Sequence, residues 1–127
     1  MNTFKLVLRT VGALLVTATI LNGAQAGTLD GQVVAIIYQK DCSSAWNGCV
    51  KVQFSTPIEN PASCQWMPDE MMLDYNSPNP LVEHHRVMLQ MLELALTTRA
   101  RVVVAGTGDC TVHANAETIR DVTLLRD

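Results

Sequence analysis

Hydrophobic and polar positions fall into blocks along this 127-residue chain, and the period of each block predicts a different element. Residues 11–21 form an uncharged, mostly apolar run behind Lys5 and Arg9, and Ala24-Gln25-Ala26 follows it. A basic start, a short apolar stretch and an A-x-A site mark a secretory leader, and the run is too short to span a bilayer as a helix. Cleavage after Ala26 is the expectation, giving a signal peptide over residues 1–26 and one domain over residues 27–127. No cysteine follows the cut to take a lipid, and no later apolar run could hold the mature chain in a membrane.

Within residues 28–40, Val33-Val34-Ala35-Ile36-Ile37-Tyr38 is apolar at odd and even positions alike, which predicts a strand covered on both faces. Val50, Val52 and Phe54 then alternate with Lys51, Gln53 and Ser55, a half-exposed strand paired back on the first as a hairpin. A weaker extended region spans residues 62–67 and 71–74 around Trp66, with Trp66 expected in the core. Asn79 as cap and Pro80 at the first helical position open a helix that runs to about Thr98.

On that helix Glu83, Arg86, Gln90, Glu93 and Thr97 recur at steps of three and four, and at 100° per residue they form a stripe of roughly 80°. The apolar arc left over is wider than a surface helix on a small monomer needs. Either the helix plugs the core, or Val87, Met91 and Leu94 meet another subunit, and the homo-oligomer is the reading adopted. Residues 101–105 predict a strand that ends at Gly106-Thr107-Gly108-Asp109, where turn chemistry accounts for the glycines; no helix pattern follows, as a phosphate loop would require. Residues 117–125 predict a last strand whose alternation slips at Arg120-Asp121, the sign of a bulge.

Charge narrows the partners. Two of the nine basic residues fall in the leader and all twelve acids lie beyond it, so the mature domain is acidic and neither nucleic acid nor an anionic membrane surface suits it. Arg99 and Arg101, the one close basic pair, are read as charges favoured by the helix C-terminus. All four cysteines, Cys42, Cys49, Cys64 and Cys110, lie in the exported part, which predicts two disulfides rather than a thiol or zinc site.

The elements thus run strand, strand, strand, helix, strand, strand, the order of the oligonucleotide- and oligosaccharide-binding (OB) fold, a mostly β, five-stranded Greek-key barrel with one helix. In that barrel strands three and five lie side by side, so Cys64 with Cys110 and Cys42 with Cys49 is the first pairing; Cys49 with Cys64 and Cys42 with Cys110 is the alternative.

The span from Cys49-Val50 through Cys64, the helix end Leu94-Ala95-Leu96-Thr97-Thr98 and the strand Val102-Val103-Val104 resemble the binding subunits of AB5 toxins of the pertussis and subtilase cytotoxin type. Those are pentameric, sugar-binding barrels of this fold. Gly106-Thr107-Gly108-Asp109-Cys110 and Glu117-Thr118-Ile119 are similar to segments of small secreted bacterial OB-fold proteins of unknown function. The resemblance implies an oligomer and a glycan or protein ligand, and the alternative disulfide pairing is the toxin-like one.

Candidate chemistry is sparse. His84 and His85 are adjacent, so on a helix they diverge by about 100° and make a poor metal pair with or without His113. Asp69 and Glu70 read as solvated turn residues after Pro68. No catalytic residue, metal or cofactor is assigned, and a non-enzymatic binding module is expected, with a structural assembly protein as the alternative and a small hydrolase third. In this fold the loop of residues 43–48 and that of residues 106–109 border the ligand region, so Trp46 is the expected main contact, with Ser44, Asn47 and Asp109 beside it.

Overall fold

The computed structural model describes residues 25–40, 42, 48–74 and 82–126. Along the chain come β1 (Thr28–Gln39), β2 (Cys49–Phe54), β3 (Glu70–Leu73), α1 (Val82–Thr98), β4 (Arg101–Gly106) and β5 (Ile119–Leu124). Across the sheet the order is β3-β2-β1-β4-β5, with every neighbouring pair antiparallel. Long β1 serves two partners in succession. Its first half, Thr28 to Gln32, pairs with β4, and from Val33 onward it pairs with β2.

The hand-over coincides with a bulge. Val33 faces Phe54 and Ala35 faces Gln53, leaving Val34 as the extra residue. An extra residue exchanges the two faces of a strand, which corrects the doubly buried reading of residues 33–38. Leu29 and Val33 are buried before the bulge, whereas Val34, Ile37 and Tyr38 are exposed. A second bulge lies at Arg120, since Gly106 faces Ile119 and Ala105 faces Asp121, where the pattern of the last strand slips.

The hydrogen-bonded ladders form an open sheet rather than a closed barrel. β3 is only four residues long, and it meets the lead-in to β5 at a single parallel bridge, Met72 with Thr118. There Met72 N–H donates to the Glu117 carbonyl at 2.8 Å.

α1 packs against β1, β4 and β5. Met88, Leu92 and Ala95, spaced four and three apart, are buried among Leu29, Phe54, Val102, Val104 and Ile119. The polar stripe faces outward, as do Val87 and Leu94, while Met91 is half-buried. Asn79 and Pro80, the expected helix start, lie outside the described residues.

The disulfides are Cys42–Cys49 and Cys64–Cys110, with Cα separations of 6.0 and 6.1 Å. Such bonds belong to oxidising compartments outside the cytoplasm. No helix among the described residues is long and apolar enough to cross a membrane.

Three further expectations are corrected. Residues 62–67 form turns, not a strand, and Trp66 is 80% exposed: its N–H is held by the Asn115 carbonyl, which fixes the backbone and leaves the indole outside. Arg101 does not serve the helix end, because it lies in β4 and grips both oxygens of Asp30 at 2.6 and 2.9 Å. Glu70 is not a solvated turn carboxylate; it begins β3 and pairs with Lys51 at 3.2 Å, and Asp69 accepts from the Gln53 amide.

Candidate functional site

Four distant pieces of chain meet around the short parallel contact between β3 and the start of β5. Asp74 follows β3, His84 and His85 stand in the first described turn of α1, Thr107, Asp109 and Thr111 lie between β4 and β5, and Thr118, Ile119 and Arg120 lead into and begin β5. They line a cleft of about 450 Å³.

Its walls are held by backbone. Thr107 N–H donates to the Thr118 carbonyl at 2.9 Å, and Thr118 N–H donates to the Asp109 carbonyl at 3.0 Å. Asp109 also caps its own turn, its Oδ1 accepting the Thr111 N–H at 3.4 Å. On the helix side His84 Nε2 lies 3.3 Å from the Arg120 carbonyl and donates when that nitrogen carries the proton.

The floor is unusual. Thr118 is 6% exposed, and its buried hydroxyl oxygen has no hydrogen-bond partner among the described residues; the buried Nδ1 of His85 has none among them either. A buried polar atom in that condition costs about 1–3 kcal/mol, so a ligand that supplies a donor or acceptor at each position recovers that cost.

Behind the floor the chain turns inward. Glu117, one residue before Thr118 and so on the opposite face, is fully buried, and its carboxylate accepts backbone N–H groups from Gly27, Ala62 and Gly108. Its own N–H donates to the Gln65 side-chain oxygen, while the Gln65 amide nitrogen donates to the carbonyls of Met67 and Glu70. Gly106 must be glycine, because a Cβ there would overlap the Glu117 carboxyl, and Gly108 has φ +85°, which glycine adopts without strain. The Cys64–Cys110 bridge joins chain two residues beyond Ala62 to chain two residues beyond Gly108, tying the two amide-bearing loops to each other.

Of the four residues expected to bind ligand, Asp109 is at the cleft, while Trp46, Ser44 and Asn47 lie outside the described residues. His84 and His85 both reach the cleft, their ring centroids 5.9 Å apart, although adjacency on a helix argued against a shared site. His113 is not part of it, and its Nδ1 accepts the Asn115 N–H at 3.3 Å. Among the described residues no three His, Cys, Asp or Glu side chains are grouped to hold a metal ion.

Asp74, Thr118 and the Glu117 nest escape a reading of the sequence. The one available signal was Glu117 itself, an acid two residues before buried Ile119, at a position where strand alternation calls for an apolar side chain. In comparisons with known proteins, the chain matches no family model, no curated protein and no solved structure.

Proposed function

We propose that the chain is an exported, non-enzymatic binding module of the OB type, which takes a hydroxyl-rich ligand such as a glycan in the cleft between α1 and β5. The observation that carries this reading is the pair of buried atoms without a partner among the described residues, Thr118 Oγ1 and His85 Nδ1, on the floor of a roomy cleft that Asp109 also lines. A sugar hydroxyl both donates and accepts, so one such group satisfies either atom. The OB assignment is supported by the single bridge between β3 and β5, which is where a barrel of this connectivity would close.

The test is a glycan array followed by NMR titration of the best binder against wild type, Thr118→Val and His85→Phe. Each substitution removes the polar atom at nearly constant size, and a loss of affinity of tenfold or more is expected with the fold unchanged. Equal affinity in all three proteins would remove the cleft from consideration.

A second reading is favoured by a separate feature. Val34, Ile37 and Tyr38 on β1 and Val87 and Leu94 on α1 are all at least 38% exposed, a large apolar display for one small domain. An assembly protein that joins subunits through these surfaces would leave the cleft without a ligand. A monomer in sedimentation of the mature domain would refute this second reading, because an assembly protein requires an oligomer and a binding module does not.

A further inference from the structure

Among the described residues Glu117 is the one charged side chain that is fully buried, and no Lys, Arg or His side chain pairs with it. Its Oε1 accepts from Gly108 N–H at 2.7 Å and Gly27 N–H at 3.0 Å, and its Oε2 from Gly27 N–H at 3.1 Å and Ala62 N–H at 3.2 Å. Three neutral amides thus surround a buried carboxyl group that no basic side chain faces. A carboxylate taken from water into a protein interior is ordinarily matched by a countercharge, because its desolvation is expensive.

Both oxygens converge on the nitrogen of Gly27, and Gly27 is the residue that follows Ala24-Gln25-Ala26. We propose that removal of the leader supplies the countercharge: the α-ammonium of Gly27, created by cleavage after Ala26, docks between the two oxygens of Glu117 and completes the domain. The inference rests on the leader reading given above. The reaction needs only water and a signal peptidase, a hydrolase of the export route. The Ala26 carbonyl carbon gains the oxygen of water and ends as a carboxylate, and both protons of that water end on the Gly27 nitrogen, which passes from amide N–H to –NH₃⁺. No electron is transferred.

Three features fit this assignment. First, everything that anchors Gly27 lies on the retained side of the cut. Its carbonyl accepts the Gly106 N–H at 2.8 Å, and Thr28 exchanges hydrogen bonds with Glu59 at 2.9 and 2.7 Å, so the nitrogen keeps its place when residues 1–26 are gone. Second, glycine after the cut leaves room for the nest, because a Cβ there would stand 2.6 Å from Ile58 Cγ2 and 2.7 Å from Glu117 Oε2 and would displace one of those side chains. Third, Gln25 is exposed and Ala26 half-buried, so the chain on the leader side heads outward from the nest. An ammonium offers three donors where the amide offers one, and both carboxylate oxygens are already within reach.

The experiment compares the domain beginning at Gly27 with a free amine, released from a fusion by a protease in vitro, with the same domain acetylated at Gly27. Acetylation restores an amide and removes the charge without altering any side chain. The free-amine form is expected to melt roughly 10 °C higher, and the gap should vanish in Glu117→Gln. Equal melting temperatures, or a gap that persists in Glu117→Gln, would overturn the proposal. Should that variant fail to fold, ¹⁵N-labelled Gly27 in the unsubstituted domain decides: a slowly exchanging ammonium signal supports the pair, and one lost to rapid exchange refutes it. Mass measurement of the exported protein tests the cut itself, so failure of the leader reading is distinguishable from failure of the ion pair.

Discussion

Leu92 and Leu94 stand two residues apart on α1 and differ in one respect that matters here, exposure: Leu92 is 0% exposed and Leu94 50%. Replacing each in turn with Ala alters helix propensity equally, so the difference between the two variants reports burial alone. Leu92 sits in the main core cluster with Met88, Phe54 and Val104. Its truncation removes buried methyl groups and leaves a cavity, at a cost of about 3–5 kcal/mol. Leu94 loses about half as much contact and its site is open to solvent, so about 1 kcal/mol is expected. In a domain of this size the first change lowers Tm by roughly 15 °C or more and the second by roughly 5 °C. Urea denaturation followed by circular dichroism, at protein concentrations tenfold apart, reads both. If Leu94→Ala costs as much as Leu92→Ala in the dilute sample, the helix faces are misassigned. If Leu94→Ala costs more only in the concentrated sample, Leu94 is covered by a second copy and the assembly reading gains.

The two disulfides should differ in worth. Their sequence separations of 46 and 7 residues correspond, by loop entropy, to about 4 kcal/mol for Cys64–Cys110 and about 2 kcal/mol for Cys42–Cys49, and guanidinium titration of the two double-alanine variants should rank them in that order. The surface pair Asp30–Arg101 should give stability an acid limb. Hydrogen bonding from Arg101 holds the Asp30 carboxyl below its ordinary 3.8, so the folded state favours the charged form; the contribution is present above about pH 4 and lost as pH falls through the lowered value. Asp30→Asn should flatten that limb in a series of melts from about pH 5 to pH 2, and added salt should shrink the wild-type effect because the pair is exposed.

What could be read from the sequence was whatever is written in a local period. Val50, Val52 and Phe54 of β2 alternate with polar residues, β4 is a compact β-branched run, and α1 carries its polar stripe at steps of three and four, so these elements lie where their patterns put them. The bulge at Arg120 was also legible, since a slip in alternation is itself local. β1 misled for the same reason. A strand that is buried on odd positions before a bulge and faces its helix with even positions after it displays apolar residues at both, and that pattern is indistinguishable from burial on both faces. Trp66 misled because turns have no period, so nothing in the residues around it indicates which way its side chain points.

The cleft was illegible on different grounds. Asp74 and Thr118 are brought together by a bridge between β3 and the start of β5, and His85 by the packing of α1 on β5, contacts between distant segments that no window on the sequence contains. Glu117 stands between these cases. Its carboxylate is explicable only when the glycines at 27, 106 and 108 are seen to approach it, yet the chain shows an acid two residues before the apolar Ile119, within the strand expected over residues 117–125. Buried charges require compensation, so such an acid poses a definite question about what matches it. Here the nitrogen on which it converges belongs to Gly27, the residue that would come first in the mature chain under the proposed cleavage after Ala26. A motif near one end of the sequence and a buried acid near the other therefore meet where the Gly27 nitrogen faces both oxygens of Glu117.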